Sequence, residues 1–253
     1  MAHGNLAFFP CEAISRLFYW QSMATKIVLP ILPQPNDSTC GPTCLHAIYR
    51  YYGDEQSLDD VIAEVATLEE GGTLAVMLGC HALKRGYKAI IYSYNLQVFD
   101  PTWFKLPPNG LSAKLAAQMK HKPSPKLQVA SKSYLEFLSL GGEVRMEDLT
   151  ADLIKDYLKN GVPILTGLSA TYLYRKEREH GLYSVCDDIR GVPAGHFVVV
   201  TDFDEAAGEV HLADPYLPNP NEKLMYSIRL EHLVCSILLG VVTYDANLLI
   251  ITR

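Results

Sequence analysis

Long apolar runs are missing from this sequence. No stretch reaches the ~18 to 20 residues that a helical membrane span requires. Basic runs are missing too: none exceeds two residues, and the formal net charge is −6. Nucleic acid and anionic membrane are therefore poor candidates as partners. Cysteine is sparse, with six in 253 residues, at 11, 40, 44, 80, 186 and 235. That is not the dense disulfide framework of a small secreted domain, so the thiols read as reduced and the compartment as cytoplasmic. The glycine-rich stretch Glu70-Gly71-Gly72-Thr73 lacks the lysine of a phosphate loop and any dinucleotide fingerprint. No internal repeat and no low-complexity segment occurs. The first 22 residues lack the basic start of a secretory signal, and Pro10, Glu12 and Arg16 interrupt their apolar stretch. They read as a dispensable extension, with Met23 an alternative start and residues 23–253 one domain.

What is present is ordinary globular material, 49% hydrophobic and 20% charged, enough for a sizeable core. Its most informative stretch runs from Gln34 to Gly53. A polar loop, Gln34-Pro35-Asn36-Asp37-Ser38-Thr39, meets an apolar helix beginning at Cys40-Gly41-Pro42. Asp37, Ser38 and Thr39 are all good caps, Pro42 suits a first helical turn, and Gly53 supplies the stop. Cys40, Cys44, Ile48 and Tyr51 recur at helical spacing. A cysteine at a helix start lies among unpaired backbone N–H groups and the positive end of the helix dipole, which favour the nucleophilic thiolate. Gln34, six residues upstream, can donate its side-chain amide to an oxyanion formed beside Cys40.

A nucleophile needs a base, and the base an orienting partner. Gly195-His196 opens an apolar strand, and Ala213-Asp214-Pro215 ends the next one. His211 is the runner-up base, but strand alternation points it away from Asp214. Ideal hairpin arithmetic puts residues near 217 opposite His196, so a meeting with Asp214 requires an off-centre turn or a bulge. Asp202 and Asp204 are alternative carboxylates, both in the turn region. The Cys40-x3-Cys44 pair with His46 raises zinc as a minor alternative, with no second ligand pair downstream. Cys44 reads as core.

Gln-x5-Cys-Gly at a helix start, a later Gly-His before an apolar strand, and Ala-Asp-Pro after the next resemble papain-like cysteine peptidases. Within them the pattern is most similar to the bacteriocin-processing (double-glycine leader) peptidase family and its stand-alone forms. The resemblance implies Cys40 as nucleophile, His196 as general base, Asp214 as its orienting partner and Gln34 as the oxyanion donor. It implies a peptide or protein substrate, cut after a small-residue pair in one version, and no metal or organic cofactor. A separate transporter or processing partner is left open. Two rivals share the site: an acyltransferase passing the same thioester to an amine, as phytochelatin-synthase-like relatives do, and a catalytically silent peptide-binding module.

The remaining pattern predicts an α+β fold, with helices dominating the first half and a mostly antiparallel sheet the second. Strands are expected at 26–32, 87–94, 143–146, 162–168, 196–201, 210–212, 225–228 and 248–252. Helices are expected at Ser57–Ala66, from a Thr73 cap to Arg85, at Ser112–Lys120, Ser131–Leu140, from a Thr150 cap to Gly161, and at Glu231–Leu239. His121–Pro125 is the best linker candidate. Residues 171–194 read as a polar surface excursion over the cleft.

Overall fold

The computed structural model describes residues 27–253 apart from 70, 108, 182 and 183; the extension expected at 1–22 lies outside the described residues. The chain enters as extended, unpaired backbone. Ile27 and Leu29 are buried, yet the strand expected at 26–32 does not form. Pro30 lacks the N–H that a ladder needs, and Ile31 N–H turns back to Leu29 O at 3.0 Å.

Helix α1 (Cys40–Tyr51) follows, buried at every residue from Gly41 to Tyr49. Gly41 is needed for that burial. A Cβ there would sit 2.7 Å from Thr73 Cγ2 and 3.2 Å from Phe197 Cδ2. Helix α2 (Leu58–Glu64) is capped by Ser57, whose hydroxyl accepts from Asp60 N–H. Helix α3 (Ala75–Lys84) starts at Leu74 rather than at the expected Thr73 cap. The Thr73 hydroxyl is turned away and donates to Ala66 O at 2.8 Å.

Strand β1 (Lys88–Ser93) leads through a 3-10 turn at Pro101–Lys105 to α4 (Gly110–His121) and α5 (Pro125–Ser139). The expected linker at His121–Pro125 is a tight corner between these two helices. Pro125 begins α5 six residues earlier than expected, because proline is well tolerated in a first turn. Gln128 Nε2 closes the corner by donating to Met119 O and Lys122 O. Then come β2 (Glu143–Arg145), α6 (Ala151–Lys159) with the expected Thr150 cap, and β3 (Ile164–Ser169). Residues 170–194 hold the short α7 (Ala170–Tyr174) and a small hairpin, β4 (Glu179–His180) and β5 (Val185–Cys186). The chain finishes with β6 (Gly195–Asp204), β7 (Glu209–Ala213), β8 (Met225–Arg229), α8 (Leu230–Leu239) and β9 (Asn247–Thr252).

Seven strands form one sheet in the order β2-β1-β9-β3-β6-β7-β8. Only the β1–β2 pair is parallel. The fold is thus α+β with a mostly antiparallel sheet, as the sequence pattern predicts. β3 is central and all six of its residues are buried, so both its faces are covered. Its two buried hydroxyls are both used: Thr166 donates to Asn247 O at 2.7 Å, and Ser169 accepts from Tyr172 N–H. Among the described residues, no helix is long and apolar enough to cross a membrane.

Candidate active site

The start of α1 meets the start of β6. Cys40 is the first residue of α1, half-buried, after Thr39 at the cap position. The Thr39 hydroxyl does not cap the helix; it donates to Asn36 O and accepts from Asn36 N–H. Asn36 Oδ1 accepts from both the backbone and hydroxyl of Ser38, so the preceding loop is closed on itself. Pro42 has no N–H, and Thr43 N–H is used by Thr39 O. The donors left at the positive end of the helix are those of Cys40 and Gly41.

One turn further on, the Cys44 thiol donates to Phe197 O at 3.3 Å and pins α1 to β6. Burial pushes the Cys44 thiol well up from its ordinary range, with negative charge on Cys40 and Asp214 adding to the effect. Cys44 is core, as its helical position suggests. His46 faces elsewhere and contacts Gln56 O at 3.1 Å. Among the described residues, no three His, Cys, Asp or Glu side chains gather as metal ligands.

His196 is the second residue of β6, paired to Leu168 of β3, and only 6% exposed. Its Nε2 lies 2.8 Å from Asp214 Oδ1, and Asp214 is wholly buried. A carboxylate only accepts, so Nε2 carries the proton and Nδ1 is the nitrogen left for Cys40. Burial works to lower the His196 pKa, but the charge of Asp214, then that of Cys40, and hydrogen bonds to both carry it well above its ordinary value. Burial works to raise Asp214, but the His196 charge and hydrogen bonds from His196, Tyr226 and Tyr216 N–H hold it below the usual carboxylate range. The two shifts are one fact: a buried, mutually stabilised ion pair.

The hairpin reaches this pairing by the expected irregularity. The register slips between Val200 and Asp202, a bulge on β6. On the His196 side of the bulge, Val199 faces Ala213. Continued outward, that register sets Asp214 opposite Val198, so Asp214 is the diagonal neighbour of His196, within reach of a long side chain. His211 is excluded: its Nδ1 contacts Ser227 Oγ at 3.0 Å. His81 is held between Tyr49 Oη and Glu64, and His232 contacts Leu173 O.

Asp214 is satisfied by residues that pattern reading missed. Tyr174 and Tyr226 donate their hydroxyls to Oδ2 at 2.8 and 2.7 Å, and Tyr216 N–H donates to Oδ1 at 2.9 Å. Tyr174 comes from α7, inside the stretch expected to be a surface excursion. Burial, with the adjacent Asp214 charge, pushes both tyrosine hydroxyls far above their ordinary range. Their strand and helix neighbours carry no periodic cue to a shared carboxylate.

Gln34 lies on the same cleft as His196. Its backbone N–H donates to Pro215 O at 2.9 Å, so the loop before Cys40 is tied to the residue after Asp214. Its Nε2 gives one proton to Asn36 O at 2.9 Å and keeps a second available. The cleft, about 370 Å³, runs between this loop, α7 and the β4–β5 hairpin. Asp202 and Asp204 lie beyond the bulge, away from His196; Asp202 accepts from Phe203 N–H and Asp204 shapes the turn.

Gly195 explains its own place before His196. A Cβ there would fall 2.1 Å from Asp245 Oδ2 and 3.0 Å from Thr243 Oγ1. Asp245 is buried against this glycine, and burial raises its carboxyl to about 7.

Residues 111–232 match the family model described as the Peptidase_C39-like family. This interval contains His196 and Asp214, while Cys40 and Gln34 precede it. No curated protein matches the chain. Among solved structures, a C39-like peptidase from Bacillus anthracis is similar at 13% identity and a TM-score of 0.48, covering 92% of this chain and 96% of that one. A double-glycine motif protease from an AMS/PCAT transporter, solved with a leader peptide, is similar at 14% identity and TM-score 0.43, covering 92% and 96%. Xylellain, a cysteine protease from Xylella fastidiosa, is similar at 14% and 0.41, covering 90% and 85%.

Proposed function

We propose that this chain, whose residues 111–232 match the Peptidase_C39-like family model, is a cysteine peptidase that cleaves a peptide bond through a thioester on Cys40. His196 Nδ1 takes the thiol proton, and the sulfur adds to the scissile carbonyl. The oxyanion is held by Cys40 N–H and the second proton of Gln34 Nε2. The carbonyl re-forms as the C–N bond breaks, and His196 returns the proton to the leaving amine. Water, deprotonated by His196, then adds to the thioester and releases the acid and the Cys40 thiol. Asp214 fixes the Nε2–H tautomer throughout, so that Nδ1 faces the sulfur.

The observation that carries this reading is the buried His196–Asp214 pair, 2.8 Å apart, set against the first residue of α1. The five described cysteines are free thiols, which supports a reducing, cytoplasmic setting. The substrate class is peptide or protein, and a separate partner that delivers it is compatible with the open cleft. The test is turnover of a peptide library by the wild type and by Cys40→Ala and His196→Ala, with products read by mass spectrometry. Both variants are expected to lose at least 100-fold, on the order of what a missing nucleophile or base costs. Turnover that survives Cys40→Ala refutes the mechanism. Products joined to added amines, in place of free acids, identify the acyltransferase alternative.

A further inference from the structure

The cleft beside His196 is lined by more charge than the proposed chemistry uses. Asp37 enters from the loop before α1, and Glu177 and Glu179 from the segment after α7. None of the three makes an ion pair among the described residues. The one ammonium on the lining, Lys176, sits 6.0 Å from the Tyr174 ring centroid instead. His196 is already matched by Asp214. Among the described residues, three carboxylates are thus left on the cavity lining with no cation paired to them.

A second observation gives these charges a common focus. Tyr216 also lines the cleft, its ring 6.0 Å from those of both Tyr174 and His196. Its hydroxyl is raised by burial first, then by Asp37, Glu179, Cys186 and Asp214. Asp37, Glu177 and Glu179 thus border, from separate segments, the same cleft as this aromatic wall. A long cationic side chain suits such a place: its methylenes lie along ring faces and its head reaches carboxylates. We propose that the cleft selects substrates carrying a lysine or arginine side chain close to the scissile bond, bound between the Tyr174–Tyr216 wall and the carboxylates of Asp37, Glu177 and Glu179. This specificity rests on the peptidase reading, since it concerns the same cleft.

The test separates the two claims by removing the chemistry. Fluorescent hexapeptides on an alanine–glycine background, with lysine, norleucine or glutamate scanned through each position, are titrated against Cys40→Ala. A lysine peptide is expected to bind at least 5-fold tighter than its norleucine partner at one position, and the glutamate peptide weakest. The preference should fall by about 2- to 5-fold in Glu179→Gln and in Glu177→Gln, the scale of a partly exposed ion pair, and should shrink between 50 and 500 mM salt. Equal binding of the lysine and norleucine peptides at every position, or no saturable binding at all, overturns the proposal. So does a preference unchanged in both glutamine variants. Binding that depends only on a free peptide N-terminus and is lost on acetylation also overturns it, in favour of an α-amine. If lysine selectivity is present in Cys40→Ala while the wild type cleaves none of these peptides, the specificity stands and the peptidase mechanism fails.

Discussion

Replacing Asp214 by asparagine removes a charge and leaves the geometry in place. The carboxylate accepts from His196 Nε2 and Tyr216 N–H at Oδ1, and from the Tyr174 and Tyr226 hydroxyls at Oδ2. In Asp214→Asn the amide oxygen can keep the Oδ1 position and both of its donors. The amide NH₂ then stands where Oδ2 stood and donates twice. Each tyrosine hydroxyl can turn to accept, since it is donor and acceptor both. The fold and the His196 tautomer survive, and what is lost is the ionic character of the His196 hydrogen bond. A bond to a charged group is worth ~1.5–3 kcal/mol against ~1 for a neutral one. The difference, about 0.5–2 kcal/mol, corresponds to about 2- to 30-fold in kcat/KM. It also lowers the His196 pKa toward its ordinary value, because the Asp214 charge that raises it is gone.

The linkage has a definite sign. His196 is raised in the fold, so its stabilisation is full below its unfolded value of ~6.5 and is lost as pH rises through the raised value. Asp214 is lowered, so its stabilisation is full above ~3.9 and is lost as pH falls through the lowered value. The stability gap between wild type and Asp214→Asn should therefore be widest between about pH 4 and 6.5. Nitrogen NMR of the His196 ring across pH, with denaturant midpoints at the same pH values, reads both effects. A His196 titration that is the same in the two proteins refutes the ion-pair account.

Three further outcomes follow from the contacts. Tyr174→Phe and Tyr226→Phe each remove a buried donor from Asp214 Oδ2 and should cost about 1–3 kcal/mol by urea denaturation. The double variant should depart from the sum, because the two hydroxyls share one acceptor. Gly195→Ala should destabilise strongly, since its Cβ would meet Asp245 Oδ2, and Asp245→Ala should relieve it. A double-mutant cycle is expected to give a coupling of about 1–3 kcal/mol, and a coupling near zero removes that explanation of the glycine. Cys44→Ser should retain peptidase activity within a few-fold, because a hydroxyl can replace the thiol donated to Phe197 O; loss equal to that of Cys40→Ala would reassign the nucleophile.

The site residues were legible where one residue type at one spacing has few uses. Gln34, Cys40, His196 and Asp214 stand out along the chain; the fold pairs His196 with Asp214 and sets Gln34 beside His196 on one cleft. Even the need for an off-centre turn or a bulge between His196 and Asp214 follows from counting, because strand register is arithmetic, and the fold uses the bulge. Tyr174 and Tyr226 were not legible. They reach Asp214 from a five-residue helix and from a strand two places from β6, and nothing local marks two tyrosines as partners of one carboxylate. Local errors came from competing chemistry. The apolar run 26–32 reads as a strand until Pro30 is counted as a missing donor. His121–Pro125 looked like a linker because a proline at a helix start and a proline in a linker read alike. Gly41 and Gly195 are each glycine because another side chain occupies the space of a Cβ there, which only the folded chain reveals.

The central claim is that Cys40 is made reactive by His196. Its most direct test is the rate of alkylation of each thiol by iodoacetamide, resolved by peptide mass spectrometry, in wild type and His196→Ala. Exposure alone ranks Cys186 and Cys235 ahead of the half-buried Cys40. The account predicts the reverse: Cys40 reacts fastest in the wild type and slows at least 10-fold in His196→Ala, while Cys186 and Cys235 do not change. Alkylation of Cys40 no faster than of Cys235, and indifferent to His196→Ala, would contradict it.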